Sequence, residues 1–494
     1  MNNKTKKIIS LILTSALCSL SLAGCGSHSN NPSGQTYAEK IYYENETHII
    51  LSDKDITANG KKIGDSGTVF ASNDVIYYED KDFYESGNPY GEGTDKDKHS
   101  AEDAAAVTVV NITEAGTYRL SGRLSNGQIR VDLGEDASED KNAVVTLVLD
   151  GIDINCDVAP AIVFMNVYEC DGSWDAETAT KDVDTSAAGA NVIISDNSTN
   201  NVEGAYVAKI FKDKEGEKKL WKQDGAFYSY MSMNIDGEAA NSGVLNITAD
   251  NEGLGAELHL TINGGNLNII SQDDGINTNE DNVSVAAING GNVHILAGLG
   301  ENGGDGIDSN GWVVVNGGTV VSAAHWDSDS GIDNENGAYI DGGTLISFGG
   351  IVDWPKQESK NTTFNLQFKD YISNGTPFII TDENDKVVFC YNPCEDTVIN
   401  TQLRNCRGVI ISSPQFNLGE IYHLYLGGTV NGKHTMGIYD AASVKDFNNA
   451  VQQMHYSDEI FERGGFIPNP AKEYTADANF AFNRTVSCFA EITG

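Results

Sequence analysis

The sequence predicts an all-β protein built on a parallel β-helix solenoid, and three features of residues 243–354 lead to this prediction. A phrase ending in Asn-Gly-Gly or Asp-Gly-Gly recurs at spacings of 26, 27 and 25 residues, and a period in the twenties is typical of a solenoid. A second phrase, Asp-Gly-Ile or Ser-Gly-Ile, recurs between copies of the first. Apolar residues inside the copies alternate with polar ones, as around Leu267 and Ile269, and this period predicts strands. The copies of the first phrase end at Gly265, Gly291, Gly318 and Gly343.

Stacked coils would place equivalent residues in columns along the solenoid. Glycine at the corners supplies the positive φ that a tight turn needs. Helical and leucine-rich repeats are excluded, because residues 243–354 carry neither long stretches of period 3.6 nor several leucines per copy. The first predicted inward column holds Ile262, Ile288, Val315 and Ile340, and the second holds Leu267, Val293, Val320 and Leu345.

The same stacking would bring acidic residues into register. Neighbouring coils lie about 4.8 Å apart, so Asp274 would stand beside Asp305, and Asn277 beside Asp308 and Asp333. Two carboxylates at that distance repel by roughly 3 kcal/mol at an effective dielectric constant near 20. No Lys or Arg occurs from residue 223 to residue 355, an interval with 19 Asp and Glu residues. Such oxygen-rich surroundings favour Ca²⁺, so the sequence predicts calcium between the coils, with a solvated acidic edge as the alternative.

The amino terminus is typical of a bacterial lipoprotein signal. Residues 1–24 combine a basic start with an apolar run that is short for a membrane-spanning helix, and the lipobox Leu22-Ala23-Gly24-Cys25 follows. We therefore predict a signal peptide at 1–24 and a lipidated Cys25, with residues 25–36 as the tether. The protein would then be anchored to the membrane at the bacterial cell surface. An ordinary secreted protein is the alternative.

The rest of the chain divides into three predicted parts. Residues 37–106 hold short strand-like segments between acidic loops, which predicts a strand-rich cap. Residues 107–435 form the predicted β-helix domain, with inserts at 169–189 and 209–222, and inserts in solenoids usually leave as loops on one face. Residues 436–494 form a carboxyl-terminal extension, in which 444–454 is predicted to be a helix.

Several phrases, in this order along the chain, resemble the clostridial family of carbohydrate-binding lipoproteins. They are the lipobox, 116–122 (Gly-Thr-Tyr-Arg-Leu-Ser-Gly), 148–154 (Val-Leu-Asp-Gly-Ile-Asp-Ile), the repeats themselves and 419–425 (Gly-Glu-Ile-Tyr-His-Leu-Tyr). The resemblance covers residues 45–430. It implies a right-handed parallel β-helix that looks like a family-nine polysaccharide lyase, holds calcium, and binds cellulose and acidic pectic polysaccharide.

The resemblance also implies which residues bind calcium and which partner is bound. The expected partner is plant cell-wall polysaccharide, either cellulose-like or pectic. The implied calcium ligands in the stacked phrases are Asp274, Asn277, Asp305, Asp308 and Asp333. We extend this set to their acidic neighbours Asp273, Asp327, Asp329 and Glu335.

Aromatic residues in and beside the repeats could form a platform for sugar rings, which stack on aromatic faces. Trp326 is favoured, because it lies in the acidic loop 325–329. A net charge of −39 repels polyuronate unless calcium bridges the two sets of carboxylates, and it has the wrong sign for nucleic acid. No nucleic-acid partner is therefore expected. The predicted platform residues are Trp312, Trp326, Tyr339 and Trp354.

The sequence leaves three functional classes open. A non-catalytic polysaccharide-binding protein is favoured. A calcium-dependent, pectate-lyase-like enzyme would need a base near the C5 proton of a uronate, and the repeat core carries no Lys or Arg for that role. A structural surface adhesin is the third class. The possible bases are Lys209 and Lys222 of the second insert and the histidines His259, His294 and His325.

Overall fold

The computed structural model describes residues 41–79, 90–91, 93–171, 175–211, 219–417, 420–452, 454–456, 480–481 and 485–491. The predicted signal peptide and Cys25 lie outside the described residues. Strands and turns make up almost all of the described part, whose α-helix is the short Ala101–Ala105, capped by the Ser100 side chain. The predicted all-β class is confirmed. No described helix has the length and apolar character needed to cross a membrane. The 3-10 turns are Glu135–Glu139, Pro393–Glu395, Ile399–Gln402 and Ala441–Ser443.

The strands of the described residues form five sheets. The largest sheet has 21 strands, and those outside the repeats are Thr47–Leu51, Thr57–Ala58, Lys61–Lys62, Gly116–Leu124, Val145–Cys156, Ala190–Ile194, Thr199–Gly204, Thr363–Ile372, Cys406–Ser412, Met454–Tyr456 and Thr485–Glu491. The eight-stranded sheet begins with Val69–Ser72, Thr108–Ile112 and Gly127–Asp132. The three-stranded sheet holds Tyr90–Gly91, Val207–Phe211 and Lys219–Gln223. The seven-stranded sheet holds Phe378–Asp382, Val387–Tyr391, Ile421–Leu426, His434–Thr435, Ile438–Tyr439, Val451–Gln452 and Phe480–Ala481, and the two-stranded sheet holds Thr429–Asn431 and Asp446–Asn448.

The repeats contribute three parallel ladders, each of which gains one strand per repeat. Ladder 1 ends in the Gly-Gly turns, ladder 2 follows those turns, and ladder 3 carries the Asp-Gly-Ile phrases. Ladder 1 holds Met233–Gly237, His259–Ile262, Val285–Ile288, Trp312–Val315 and Gly337–Ile340. Ladder 2 holds Val244–Ala249, Asn266–Ser271, Asn292–Leu296, Thr319–Ala323 and Thr344–Gly349. Ladder 3 holds Ile162–Asn166, Gly225–Ser229, Glu252–Ala256, Ile276–Thr278 and Ile307–Ser309.

The register of ladders 1 and 2 forms both aliphatic columns that the repeat predicts. Ile262 is paired with Ile288, and Leu267 with Val293, and the pairing continues along both columns to the last repeat. Every side chain in the two columns is at most 2 % exposed. Full burial of one such side chain stabilises a fold by about 1.5–3 kcal/mol, so each member of the two columns contributes to the stability of the core.

The Gly-Gly turns hold the ladders in this register. The second glycine of each phrase has a positive φ, for example +89° at Gly265 and +80° at Gly291. A Cβ atom on Gly291 would lie 2.5 Å from the carbonyl oxygen of Gly265. The turns therefore need glycine both for its backbone conformation and for the close approach of successive coils.

The prediction of a single right-handed parallel β-helix is wrong. The described strands are distributed over several sheets, and the largest of these mixes parallel with antiparallel pairs. The antiparallel pairs lie on both sides of the repeats: Thr57–Ala58 pairs antiparallel with Thr47–Leu51 and with Lys61–Lys62, and further antiparallel pairs follow Trp354, where the repeated phrase ends. Cys406–Ser412 there pairs antiparallel with both Thr344–Gly349 and Thr363–Ile372. A periodic sequence predicts pairing only inside the periodic segment, so strands outside it are free to pair in other ways.

Two non-repeating segments cover the outer faces of ladders 1 and 2. Residues 175–189 of the first insert pack on ladder 1, where Thr185 Oγ1 lies 2.7 Å from Thr261 Oγ1. The carboxyl-terminal strands pack on ladder 2, where Ile270 and Val321 join a core cluster with Phe364. Both covered faces are therefore occupied by the chain itself.

The first described strand is fixed to the body by the buried Arg119. Thr47–Leu51 pairs in parallel with Gly116–Leu124. The Arg119 guanidinium forms an ion pair with Glu46 at 2.9 Å and with Asp150 at 3.3 Å. Its Nη2 also donates to the carbonyl oxygen of Ile41 at 2.5 Å. One side chain thus joins the start of the described chain to two later segments.

The helix predicted at 444–454 is wrong. Asp446–Asn448 and Val451–Gln452 are short strands that pair with Thr429–Asn431 and Ile421–Leu426. Asn449 between them has φ of 62°, which a helix does not accommodate.

Candidate functional site

Ladder 3 carries a row of carboxyl groups, here called the acidic column: Glu252, Asp274, Asp305, Asp308 and Asp333, with the amide of Asn277. Alternation along each strand explains the arrangement. Ile276 and Ile307 point into the core, so the residues that follow them point outward. The register pairs Asn277 with Asp308, and the bridge from Ile307 to Ile332 brings Asp333 next to Asp308. The stacking that the spacing of the phrases predicts is therefore present.

Neutral donors satisfy part of the acidic column. Asp274 Oδ1 accepts a hydrogen bond of 2.7 Å from the backbone N–H of Asp305, and Asp305 Oδ1 accepts one of 2.6 Å from Ser330 N. Asn277 Nδ2 donates to Glu252 Oε1 at 2.8 Å and to Asp274 Oδ2 at 3.2 Å. Backbone and side-chain amides thus fix the orientation of the carboxyl groups without neutralising their charge.

Burial and mutual repulsion raise the pKa values along the column. Burial, followed by the charge of Asp274, raises the pKa of Asp305 to about 9. Burial and the charge of Asp333 raise the pKa of Asp308 to about 6. The pKa values of Glu252 and Asp274 are raised well above their ordinary range, chiefly by burial and then by neighbouring carboxylates. The carboxyl groups of the column are therefore crowded and partly buried, which argues against the alternative of a freely solvated acidic edge.

Two buried oxygen atoms in the column have no hydrogen-bond partner among the described residues. They are Glu252 Oε2 and Asn277 Oδ1, on side chains that are 5 % and 7 % exposed. An unsatisfied buried oxygen costs about 1–3 kcal/mol. A hard cation is a suitable partner for atoms of this kind, because calcium takes carboxylate, amide and backbone oxygens. The donor set therefore fits Ca²⁺.

The described carboxyl groups are not close enough together to form a metal site from side chains alone. No three His, Cys, Asp or Glu side chains in the described ranges are grouped to hold one ion. A cation in the acidic column would therefore be held by amide and backbone oxygens beside one or two carboxylates, or after rotation of the carboxyl groups.

The amino-terminal end of the column meets a lysine. Lys222 on Lys219–Gln223 donates from Nζ to Asn279 Oδ1 at 2.8 Å and forms an ion pair with Asp224. Burial lowers its pKa, but the charges of Asp224 and Glu252 outweigh burial, and the net pKa is raised. The insert at 209–222 thus delivers a protonated ammonium group to the acidic column.

The remaining predicted calcium ligands lie at varied distances from the column. The charges of Asp273 and Asp329 act on Asp274, and Asp329 Oδ2 accepts from Gly304 N at 2.8 Å. Asp327 is exposed and accepts a hydrogen bond from Tyr371 Oη at 3.2 Å. Glu335 is also exposed. Asp273 and Asp329 border the column, whereas Asp327 belongs to the surface beside it.

Trp326 forms a surface with residues from the carboxyl-terminal strands, here called the Trp326 platform: Trp326, Ile351, Tyr371 and Arg407. Trp326 is 42 % exposed, and its ring meets that of Tyr371 edge-on at 5.6 Å between centroids. The Arg407 guanidinium lies 5.1 Å from the centre of the Tyr371 ring, and its Nε donates to Gly350 O at 3.3 Å. Ile351, which is 38 % exposed, follows this glycine. Apolar area, a cation and the Asp327 carboxylate are thus combined on one surface.

The other predicted platform residues are less accessible. Lys181 of the insert lies over the Tyr339 ring at 5.1 Å from its centre. Trp312 is partly buried on ladder 1, and Trp354 packs against the main core. Of the predicted aromatic residues, Trp326 alone is exposed within the described part of the chain.

Several residues of these surfaces were not predicted as site residues. Glu252 heads a variant of the repeated phrase, Glu-Gly-Leu, and Asp224 begins the related Asp-Gly-Ala. The position of each residue in the repeat could therefore have identified Glu252 and Asp224 as members of the acidic site. Tyr371 and Arg407 lie beyond the repeat, and nothing in the local sequence marks them.

Comparison with known proteins gives one family match. A family model described as "Carbohydrate-binding domain-containing protein" matches residues 106–375. A solved structure, the polysaccharide lyase-like protein from C. thermocellum in its gadolinium derivative, is 18 % identical over 61 % of this chain and 93 % of that chain, with a TM-score of 0.33. That similarity is too low to support a conclusion. The search of curated proteins found no match.

Proposed function

Because the chain belongs to the family of carbohydrate-binding domain-containing proteins, we propose that it binds plant cell-wall polysaccharide, cellulose-like or pectic, without cleaving it. One relationship carries the proposal: the loop 325–329 joins the exposed Trp326 to Asp329 at the border of the acidic column. An apolar stacking surface and a row of carboxyl oxygens are therefore adjacent. Together they suit a chain of sugar rings that carries hydroxyl or carboxyl groups.

The Trp326 platform supplies the contact surface. A sugar ring has an apolar face that packs on an aromatic ring, and the Trp326 side chain is 42 % exposed. Asp327 can accept hydrogen bonds from sugar hydroxyl groups. Arg407 can pair with a uronate carboxylate, because guanidinium groups match the geometry of carboxylates.

Calcium in the acidic column completes the proposal. A bound ion would neutralise carboxylates that otherwise repel both one another and an anionic glycan. The residues proposed to hold it are Asp274, Asn277, Asp305, Asp308 and Asp333, with Asp273 and Asp329 at the border. Glu252 joins this set because of its unpartnered Oε2.

The lyase alternative has less support. Lys222 reaches the acidic column, but its ammonium is paired with Asp224 and its pKa is raised, so it is a poor base near neutral pH. His259 and His294 are 1 % and 2 % exposed, and His294 Nδ1 lies 2.7 Å from Asp396 Oδ2. Neither histidine can reach a polymer on the surface.

The proposal also includes a place in the cell. The lipobox that ends at Cys25 supports lipid anchoring to the membrane, with the body of the protein exposed at the bacterial surface. Mass spectrometry of the mature amino terminus would test this assignment, which an unmodified amino terminus would overturn.

Retention on insoluble glycans tests the binding proposal. The protein is incubated with calcium pectate gel and with cellulose, each with calcium and with a chelator. Retention on either glycan supports binding, and pectate binding that needs calcium supports the role of the ion. No retention on either glycan, or release of unsaturated uronate products, would overturn a non-catalytic polysaccharide-binding function.

A further inference from the structure

The two ends of the acidic column differ in how their charge is balanced. At the Asp305 end, the described residues place no Lys or Arg within ion-pairing distance of Asp305 or Asp308. At the Glu252 end, Lys222 forms an ion pair with Asp224 and donates to Asn279 Oδ1. One row of acidic residues therefore has a built-in cation at one end only.

Lys222 reaches this position from outside the ladders. Its strand, Lys219–Gln223, pairs antiparallel with Val207–Phe211 in the separate three-stranded sheet. The Lys222 side chain is 22 % exposed and that of Asp224 is 10 % exposed, so the ion pair is largely enclosed. The insert thus places a positive charge that the repeats themselves lack.

The oxygens around Lys222 also form a suitable cation site. Glu252 Oε2 is buried without a hydrogen-bond partner among the described residues. The Tyr228 ring closes this end of the column, since a Cβ atom on Gly255 would contact both Tyr228 and Glu252 Oε2. Two carboxylates and the Asn279 amide oxygen therefore surround the region of the ammonium group.

We propose that Lys222 is an internal counter-cation that occupies the Glu252 end of the acidic column and confines Ca²⁺ to the Asp305 end. This inference rests on the calcium binding included in the proposed function. Its consequence is that Lys222 limits the number of ions bound.

Replacement of the lysine should create a further metal site. Lys222→Met removes the charge but keeps most of the side-chain volume, so Asp224, Glu252 and Asn279 would be left to bind Ca²⁺. Lys222→Arg keeps the charge. Lys96→Met is a matched control, since it removes a charge from an exposed ion pair with Glu301 whose two side chains are 81 % and 75 % exposed.

Isothermal titration with Ca²⁺, together with metal analysis of the dialysed protein, measures the number of ions bound per chain. We expect an additional ion in Lys222→Met, and wild-type stoichiometry in Lys222→Arg and Lys96→Met. Circular dichroism measures whether Lys222→Met is folded. If this variant folds only in the presence of calcium, the result also supports the inference, because the ion would replace the ammonium group.

Two other outcomes are distinguishable. Equal stoichiometry and affinity in wild type and Lys222→Met would overturn the role of Lys222 and leave calcium binding intact. Absence of calcium binding in both proteins would overturn the calcium part of the proposed function, and this inference with it. If Lys222→Met is unfolded both with and without calcium, Lys222→Gln takes its place, because glutamine is polar and uncharged. The number of calcium ions bound and the affinity are then compared between wild type and Lys222→Gln.

Discussion

The backbone N–H of Asp305 donates a hydrogen bond of 2.7 Å to Asp274 Oδ1, one strand away on ladder 3. The bond holds the Asp274 carboxyl group against the start of the next repeat, where Asp305 adds a second carboxyl group. The charge of Asp274 raises the pKa of Asp305 in addition to the effect of burial. Protonation, cation binding and stability are consequently linked at this point.

Calcium should stabilise the protein more at pH 8 than at pH 5. The folded-state pKa values of Asp305 and Asp308 are raised to about 9 and about 6. The folded protein therefore binds more protons than the unfolded chain from about pH 4 upward, and the free energy of unfolding of the metal-free form falls as pH rises. We expect its Tm to be several degrees lower at pH 8 than at pH 5 in chelator, since about 1 kcal/mol shifts Tm by roughly 2–4 °C. Saturating calcium should remove most of the difference. A calcium-induced shift in Tm that is equal at both pH values would contradict the linkage.

Asp305→Asn should raise the Tm of the metal-free protein and weaken calcium binding. The amide keeps the shape of the side chain and removes a carboxyl group whose ionisation is opposed by burial and by the charge of Asp274. We expect at least a tenfold loss of calcium affinity by titration, which corresponds to about 1.4 kcal/mol. Asp327→Asn is the control, because Asp327 is exposed and contacts Tyr371 outside the column. Equal losses in both variants would show that net charge, and not the column, governs affinity.

Trp326→Ala should weaken retention on polysaccharide by about tenfold. Truncation of an exposed aromatic anchor in an interface commonly costs more than about 1 kcal/mol. Tyr339→Leu should change retention less than about twofold, since Lys181 covers that ring. Affinity gel electrophoresis with soluble glycan measures both variants. A larger loss in Tyr339→Leu would mean that the glycan lies on ladder 1 instead.

Arg407→Met should weaken binding of polyuronate and spare binding of cellulose. The guanidinium is the cation of the Trp326 platform, and a charged hydrogen bond contributes about 1.5–3 kcal/mol. Exposure to solvent reduces that contribution, so we expect a loss of roughly threefold to tenfold on polyuronate. Retention on both glycans, measured in parallel, gives the comparison. A similar loss on cellulose would assign Arg407 to support of the Tyr371 ring and not to recognition of charge.

The repeat predicted the parts of the fold that depend on its period. Ile262 and Ile288 occupy equivalent positions in the repeat, so their pairing follows from the spacing. Leu345 also pairs with Ser412, and no repeated phrase relates these two positions. The antiparallel strands, and with them the mixed character of the largest sheet, were therefore beyond a prediction from periodicity.

The acidic column was predictable for the same reason, and the aromatic surface was not. Asp274 and Asp305 head equivalent phrases, so their proximity follows from the stacking. Tyr339 has the outward position that a platform residue needs, but the insert at 169–189 covers it. Packing of an insert on a sheet depends on long-range contacts such as Lys181 with Tyr339, which leave no local pattern in the sequence.

The contacts of Arg119 with Ile41, Glu46 and Asp150 determine how the described part of the protein would respond to mechanical pulling at its amino-terminal end. A pulling force applied at Ile41 would act on the Arg119 contacts before it acted on the strand Thr47–Leu51, because the guanidinium binds the Ile41 carbonyl and Glu46. Beyond that cluster, the parallel register from Thr47 with Tyr118 to Leu51 with Gly122 would be loaded in shear. Several backbone hydrogen bonds would then have to rupture together, so the strand would resist being peeled away one residue at a time.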